Sequence, residues 1–438
     1  VRLELAIPAE SQQIFFGFIF SGKGQAWFDD FEIWIDGKQY EETPVSNYEL
    51  SPTARQWLLD HLIPLDTCAP EEREGDDLRT LGQRIGDARV IALGEVTHGS
   101  RAIFQMKDRI IRYLIESKFL RRFAIEGNWP EAETVNDHLR FNPEYDGTAG
   151  DQLKNMYFWT WQTEEVAAMV DWMRSYNQGA ADPLFFSGFD LQYTTGVLNA
   201  LRQALPAKQH PLLTTVAEEI AYLREQRSQS STVTLSPAQQ RFFTQSLEAL
   251  RYGGWENRSP RAMARNHHYL RILEQWLEFA PISRDRFMAE NMQWLLDQEP
   301  EQRYIIWAHN EHLRQNDNRM GQFLHESLGE DYLSIGFALY EGEHTAKSSG
   351  GLNTFPLNKA PAGSYEAIFN QLDTPIFALD LREITTDTPL ADWLDQGLGW
   401  RSTGAGPDGY NGRKTNITEQ FDLVIFIRET EASRLLDF

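Results

Sequence analysis

Four stretches of this sequence end in side chains able to take up, give or hold a proton. An apolar run at 90–93 leads into Gly94-Glu95-Val96-Thr97-His98-Gly99-Ser100, and one at 122–126 ends on Glu126-Gly127-Asn128-Trp129-Pro130. A third, at 184–189, gives way to Asp190-Leu191-Gln192, and a fourth, at 303–308, to His309-Asn310-Glu311-His312. Histidine titrates near neutrality and can draw a proton from water when a carboxylate orients its ring. Glu95 and His98 stand three apart in a glycine-flanked turn, which suits such a pair. His309 and His312 could donate to a developing oxyanion or protonate a departing alcohol, and Glu126 could steer a histidine or act as base. A single Glu or His at a strand end more often caps a helix or closes a salt bridge, so the weight rests on the cluster.

The elements that must bring these residues together are read from the pattern. Further short apolar runs at 332–337, 375–381 and 421–427 complete a set of strands covered on both faces. Amphipathic helices lie between them: Ile103, Phe104, Ile110, Ile111, Leu114 and Ile115 share one face after the first strand. Val166, Met169, Val170 and Met173 share another, behind an N-cap at Thr163 with Glu164 and Glu165 in its first turn. Residues 195–300 carry no convincing strand and read as a helical insertion. The stretches 348–353 and 397–412 read as loops. The fold class is therefore α/β, a mostly parallel sheet flanked by helices, in which ligands sit beyond the carboxyl ends of the strands.

The opening differs. Residues 1–7, 14–20 and 27–35 alternate or run apolar between Gly, Pro and Ser punctuation, which predicts a short antiparallel β segment. It resembles the end of a jelly-roll module. This divides the chain into a β-rich segment at 1–45, part of an accessory module, and a catalytic domain at 46–438.

Composition narrows the function. The 438 residues hold 41 Lys plus Arg against 64 Asp plus Glu, a net charge of −23, so the basic footprint of nucleic-acid binding is missing. One cysteine excludes an internal disulfide and any multi-cysteine metal centre. No apolar run reaches the roughly 18 residues of a membrane-spanning helix. The first residue is Val1, and localisation stays open between the cytoplasm and an exported or envelope compartment. Oligomeric state is likewise open.

Other motifs are weak. Residues 404–409 fit GxGxxG but follow no strand and contain Pro407, so they are a loop and no dinucleotide cradle. Neither a G-x-S-x-G elbow nor a Walker A sequence occurs. His309-x-x-His312, with His98, Glu95 and Glu126, could ligate a divalent metal, although the zincin spacing is lacking. Trp129, Trp159 and Trp161 are core residues by default and could also wall a bulky substrate.

Several ordered blocks carry a resemblance. ViaLGEvTHGSraiF (90–104), FAIEGNWPEAetvNDhl (123–139), WtWqTEEVaamvdWMRsYN (159–177), FSGFDlQ (186–192), RDrfMAENmqWLL (284–296) and iWAHNeHl (306–313) are similar to the erythromycin esterase family. The resemblance spans about residues 51–428. It implies a parallel-type sheet with a deep cleft, and attack of water on an ester or lactone with no covalent serine step. It implies catalytic roles for His98, Glu95, Glu126, His309 and His312, and a basic site residue at Lys107, with Arg109 nearby. Asp190 and the three tryptophans join Lys107 and Arg109 as substrate-binding candidates. The expected function is a metal-independent hydrolase opening an ester or a macrolide lactone, with no cofactor and a small-molecule substrate. The alternatives are a metal-dependent hydrolase using the same cluster and a non-catalytic carbohydrate- or envelope-binding protein.

Overall fold

The structure is a computed structural model that describes residues 34–35, 38–39, 48–72, 75–229, 234–253, 255, 258–279, 283–407, 410 and 412–437. The chain divides into two units, Val1–Ser46 and Asn47–Phe438. In the first, Trp34–Ile35 pairs antiparallel with Lys38–Gln39. The strands expected at 1–7 and 14–20, and most of that at 27–35, lie outside the described residues.

The second unit is built on a nine-stranded sheet. In chain order its strands are β1 Ile63–Pro64, β2 Val90–Leu93, β3 Arg122–Asn128, β4 Phe185–Asp190 and β5 Tyr304–Trp307. They continue as β6 Tyr332–Ser348, β7 Gly351–Leu357, β8 Ile376–Asp380 and β9 Leu423–Thr430. The spatial order is β1-β8-β9-β6-β2-β5-β3-β4, with β7 on β6. From β9 to β4 every pairing is parallel, while β1, β8 and β7 join antiparallel. The sheet is mostly parallel, as the continuous apolar runs predict.

Alternation along each strand sorts side chains into two layers. Ile91, Leu93, Ile125, Ile305 and Trp307 pack with the helices Arg101–Lys118 and Glu164–Asn177. Val90, Ala92, Ala124, Tyr304 and Ile306 pack with the helices Pro260–Leu277 and Arg284–Gln298. The stretch read as an insertion thus covers this face over β2, β3, β4 and β5, while Phe377, Leu379, Val424 and Phe426 pack instead with the helices Pro52–His61 and Tyr365–Phe369. That stretch holds the helices Thr195–Ala204, His210–Gln229 and Pro237–Tyr252 as well.

Two loop assignments are corrected. Of residues 348–353, Ser348 ends β6 and 351–353 open β7, and the turn is confined to the two residues joining Ser348 to Gly351. The stretch 397–412 includes Leu398–Trp400, which pairs with Arg413–Thr415. The first lies largely exposed at the edge of the main sheet, and the second belongs to a separate two-stranded sheet only three residues long.

Candidate active site

β2 and β5 are neighbours, so the turns after Leu93 and Trp307 emerge side by side at the carboxyl edge. Asn310 fastens them. Its N–H donates to the Glu95 carbonyl at 2.8 Å, and its side chain bonds both the N–H and the carbonyl of Phe337 on β6. Gly94 leaves the room for this clamp, since a Cβ there would sit 2.1 Å from Asn310 Oδ1. The segment that carries His98 is pinned from a second side. His98 N–H donates to the Gly404 carbonyl, and Thr403 and Gly404 donate to the Val96 carbonyl.

Glu95 is fully buried. Its Oε1 accepts from His98 Nδ1 at 2.7 Å, and its Oε2 accepts from Lys107 Nζ at 2.7 Å and Trp307 Nε1 at 2.6 Å. Burial alone would raise the carboxyl, but Lys107 and His98 hold it down to about 2. Burial lowers the Lys107 ammonium to about 8 against the pull of Glu95. Because a carboxylate only accepts, His98 carries its proton on Nδ1, and in the neutral ring the lone pair is on Nε2. The arrangement fixes the orientation of the His98 ring.

A second cluster lies alongside. Arg284, first residue of its helix, makes two contacts with Asp190, at 2.8 and 3.1 Å, and one with Glu126 at 2.7 Å. His312 Nδ1 donates to Asp285 at 2.7 Å, while Nε2 lies 3.3 Å from Glu126 and 2.9 Å from Arg284 Nη1. The guanidinium opposes a charge on this ring and burial opposes it too. Glu126 and Asp285 outweigh both and raise His312 to about 9, so it is cationic at neutral pH. Burial would raise the Glu126 carboxyl, but His312 and Arg284 keep it well below the ordinary range.

Between the clusters lies His309, its ring centroid 5.1 Å from that of His98 and 6.5 Å from that of His312. Both its nitrogens are engaged: Nε2 donates to the Val96 carbonyl at 3.1 Å and Nδ1 accepts from the Glu311 N–H at 3.2 Å. Burial, then the neighbouring His98, lower it to about 4, so it is neutral and has no spare proton.

His98, Glu95, Lys107, Glu126, His309, His312 and Asp190 are thus linked through these contacts. Trp161 belongs to their frame, its Nε1 bonding the Glu126 carbonyl at 3.2 Å and its ring standing edge-on to Trp307. Trp159 begins the same short 3-10 turn and is half-buried. Two candidates point elsewhere. Arg109 is buried on Asp77 at 2.7 Å and on the Glu72 carbonyl, two positions along the helix from Lys107 and so on a different face. Trp129 bonds Glu133 and packs tilted against His268 and edge-on against Trp294 and Tyr269 inside the helical layer. Arg284, Asp285 and Trp307 had not been singled out. Their signal was present, since an Arg-Asp pair opens one of the resembling blocks and Trp307 immediately precedes Ala308-His309.

Glu95 already holds three N–H donors and both His309 nitrogens are bonded, so a dication here would face Lys107 and Arg284. Among the described residues, no group of three His, Cys, Asp or Glu is arranged to hold a metal ion. No helix among them is long and apolar enough to cross a membrane.

The sheet and its rim define an α/β protein with paired Glu–His chemistry beyond the strand ends. Residues 115–430 match the erythromycin esterase family model, and the chain belongs to that family. The match includes Glu126, Arg284, His309 and His312 and begins after Glu95 and His98. "Putative hydrolase YbfO" of Bacillus subtilis (strain 168) is 25% identical over 426 residues, covering 87% of this chain and 92% of the relative. Erythromycin esterase type II of Escherichia coli is 26% identical over 333 residues, covering 66% of this chain and 78% of the relative. A Bacillus cereus protein of solved structure superposes with a TM-score of 0.73 at 25% identity, covering 87% of this chain and 98% of that one. A mutant of the erythromycin esterase EreC in its open conformation superposes at 0.60 with 17% identity, covering 85% and 98%, a likeness of fold. Family membership supports a hydrolase acting on a small molecule.

Proposed function

We propose that this protein hydrolyses an ester or lactone with water activated by His98 and without a metal ion. The observation that carries the reading is the 2.7 Å contact between Glu95 Oε1 and His98 Nδ1, made by a carboxylate whose other oxygen is fixed by Lys107 and Trp307. A carboxylate so held fixes the tautomer and favours the imidazolium that forms when Nε2 takes a proton from water. The hydroxide equivalent attacks the carbonyl carbon. His312, cationic between Glu126 and Asp285, stabilises the oxyanion and gives its Nε2 proton to the departing alkoxide, after which His98 releases the proton taken from water to solvent and His312 regains one. His309 serves as a neutral spacer, its two bonds fixing the Val96 carbonyl and the first turn of its own helix. Arg284 and Asp190 position Glu126. Macrolide ring opening is the finer form of this reading, supported by the family and by the erythromycin esterases among the relatives.

The test is mass spectrometry of erythromycin, other macrolides and simple esters incubated with the folded protein, with and without chelator. A gain of one water that survives chelator and disappears in His98→Ala is the expected result. No hydrolysis of any substrate, or hydrolysis abolished by chelator, would overturn the proposal.

A further inference from the structure

Nearly every buried carboxylate around the site has a cation: Glu95 has Lys107, Glu126 and Asp190 have Arg284, and Asp285 has His312 and Arg319. Glu131 is the exception. It is 4% exposed and stands in the first turn of the helix Trp129–Leu139. One oxygen accepts the Gly196 N–H at 2.9 Å, while Oε2 is buried without a hydrogen-bond partner. No Lys, Arg or His pairs with it among the described residues. A Cβ at residue 196 would lie 2.5 Å from its carboxyl carbon, so Gly196 lets the backbone close over this group. Burial pushes the carboxyl up to about 7, and the neighbouring charge of Asp190 adds to the rise. A helix N-terminus already favours an anion, so what the site lacks is a counter-cation.

Next to Glu131 lies an exposed aromatic group. Tyr157 and Tyr193 are 47% and 39% exposed, and the Tyr193 ring centroid is 5.4 Å from those of both Tyr157 and Phe158. Tyr193 leads three residues on into Gly196, whose N–H holds the Glu131 carboxyl at 2.9 Å, so the chain itself sets the aromatic group beside that carboxyl. Tyr157 has φ +65°, a left-handed conformation usually left to glycine or asparagine, here given to a large exposed ring. The group is continuous with the active-site rim. Tyr193 follows Asp190 by three residues and its N–H donates to Asn128 Oδ1 at 3.2 Å, while Tyr157 and Phe158 lead into the turn whose Trp161 bonds the Glu126 carbonyl.

We infer that Tyr157, Phe158 and Tyr193, with Glu131 behind them, form a subsite for an alkylammonium group carried on the substrate. Aromatic faces attract cations through their quadrupole, and a bound cation draws the buried Glu131 carboxyl behind the rings into its ionised form, which strengthens that field. The net charge of −23 favours the approach of such a substrate. The assignment rests on the hydrolase reading for its meaning, since the subsite would orient the substrate's non-reacting end.

The probe is a matched pair: 2-(trimethylammonio)ethanol and its neutral isostere 3,3-dimethylbutan-1-ol, titrated into the whole protein by calorimetry. The cation should bind about tenfold more tightly than the isostere. Tyr157→Ala, at an exposed position, and Glu131→Gln should each remove most of that preference while circular dichroism stays unchanged. Equal affinities, no binding of the cation, or a preference that survives Tyr157→Ala would overturn the inference. Turnover of a neutral ester is read separately. Hydrolysis without cation preference sinks the subsite alone, and cation preference without hydrolysis of any ester sinks the hydrolase reading alone.

Discussion

Lys107 Nζ sits 2.7 Å from Glu95 Oε2, so the carboxylate that grips His98 through one oxygen is itself gripped through the other. Both partners of this ion pair are fully buried, and the ammonium also lies 4.3 Å from the centre of the Trp307 ring. A buried charge pair seldom stabilises a fold as well as an apolar pair of the same shape. Its value here is geometric: it holds the carboxylate ionised and oriented where burial would neutralise it.

Lys107→Met should therefore leave Glu95 buried without its lysine counter-charge and destabilise the protein by about 3–5 kcal/mol. Lys107→Met with Glu95→Leu should recover much of that loss while remaining inactive. Urea unfolding across the double-mutant cycle checks this, and a single variant as stable as the parent would refute the account.

Removing the base has a different signature. His98→Ala should lower kcat by about 10²–10⁴-fold with little change in stability, because its side chain is partly exposed. Glu95→Gln should lower kcat comparably and also cost stability through Lys107. Retained turnover in His98→Ala would end the proposed role of this ring.

The pH dependence of stability has two limbs. Glu95 is depressed to about 2, so its contribution is present above the ordinary carboxyl range near 4.5 and is lost as pH falls through 2. His312 is raised to about 9, so its contribution is complete below the unfolded value near 6.5 and is lost as pH rises through 9. Lys107 works in the opposite sense, because a folded value of about 8 lets stability rise between 8 and its unfolded value near 10.5. Replacing His312 by Gln should flatten the decline between pH 6.5 and 9 in chemical denaturation, and an unchanged slope would contradict the raised value.

Arg109 offers a negative control. With its guanidinium on Asp77 and Glu72, Arg109→Met should destabilise by about 3 kcal/mol through the abandoned Asp77 and leave KM for any substrate unchanged. A rise in KM without loss of stability would return this residue to the substrate site.

The parts of the fold that were legible in the sequence are those with one dominant force. β2 is a buried apolar run read to its exact ends, and Thr163 caps its helix by accepting from the Val166 N–H. β6 was read only to Phe337 because beyond it Glu341, Glu343 and Lys347 interrupt the pattern, and the hairpin with β7 is held by backbone bonds that any side chain permits. At the candidate site, Glu95, His98, Glu126, His309 and His312 could be picked out because each lies at or within a few residues of the carboxyl end of a strand. Arg284 and Asp285 were harder to see, since they open a helix after a long helical stretch and only three-dimensional packing sets them against Glu126 and His312. The opposite charge states of His309 and His312 follow from which partners each nitrogen meets, which spacing does not encode.

The tether between the reactive turn and the region near residue 430 bears on the order of folding. Ser100 Oγ lies 2.8 Å from Thr430 Oγ1 across 330 positions of sequence, and the Ser433 N–H donates to the Gly99 carbonyl. Contacts of such separation pay their loop-closure entropy before they return any stability, and they form slowly. The strand β2 can find β5 and β6 earlier, but the turn bearing His98 reaches its working shape only once β9 has docked. During synthesis a ribosome must deliver nearly the whole domain before the His98 turn can make these contacts, so under the proposed function a nascent chain would gain activity only at the end.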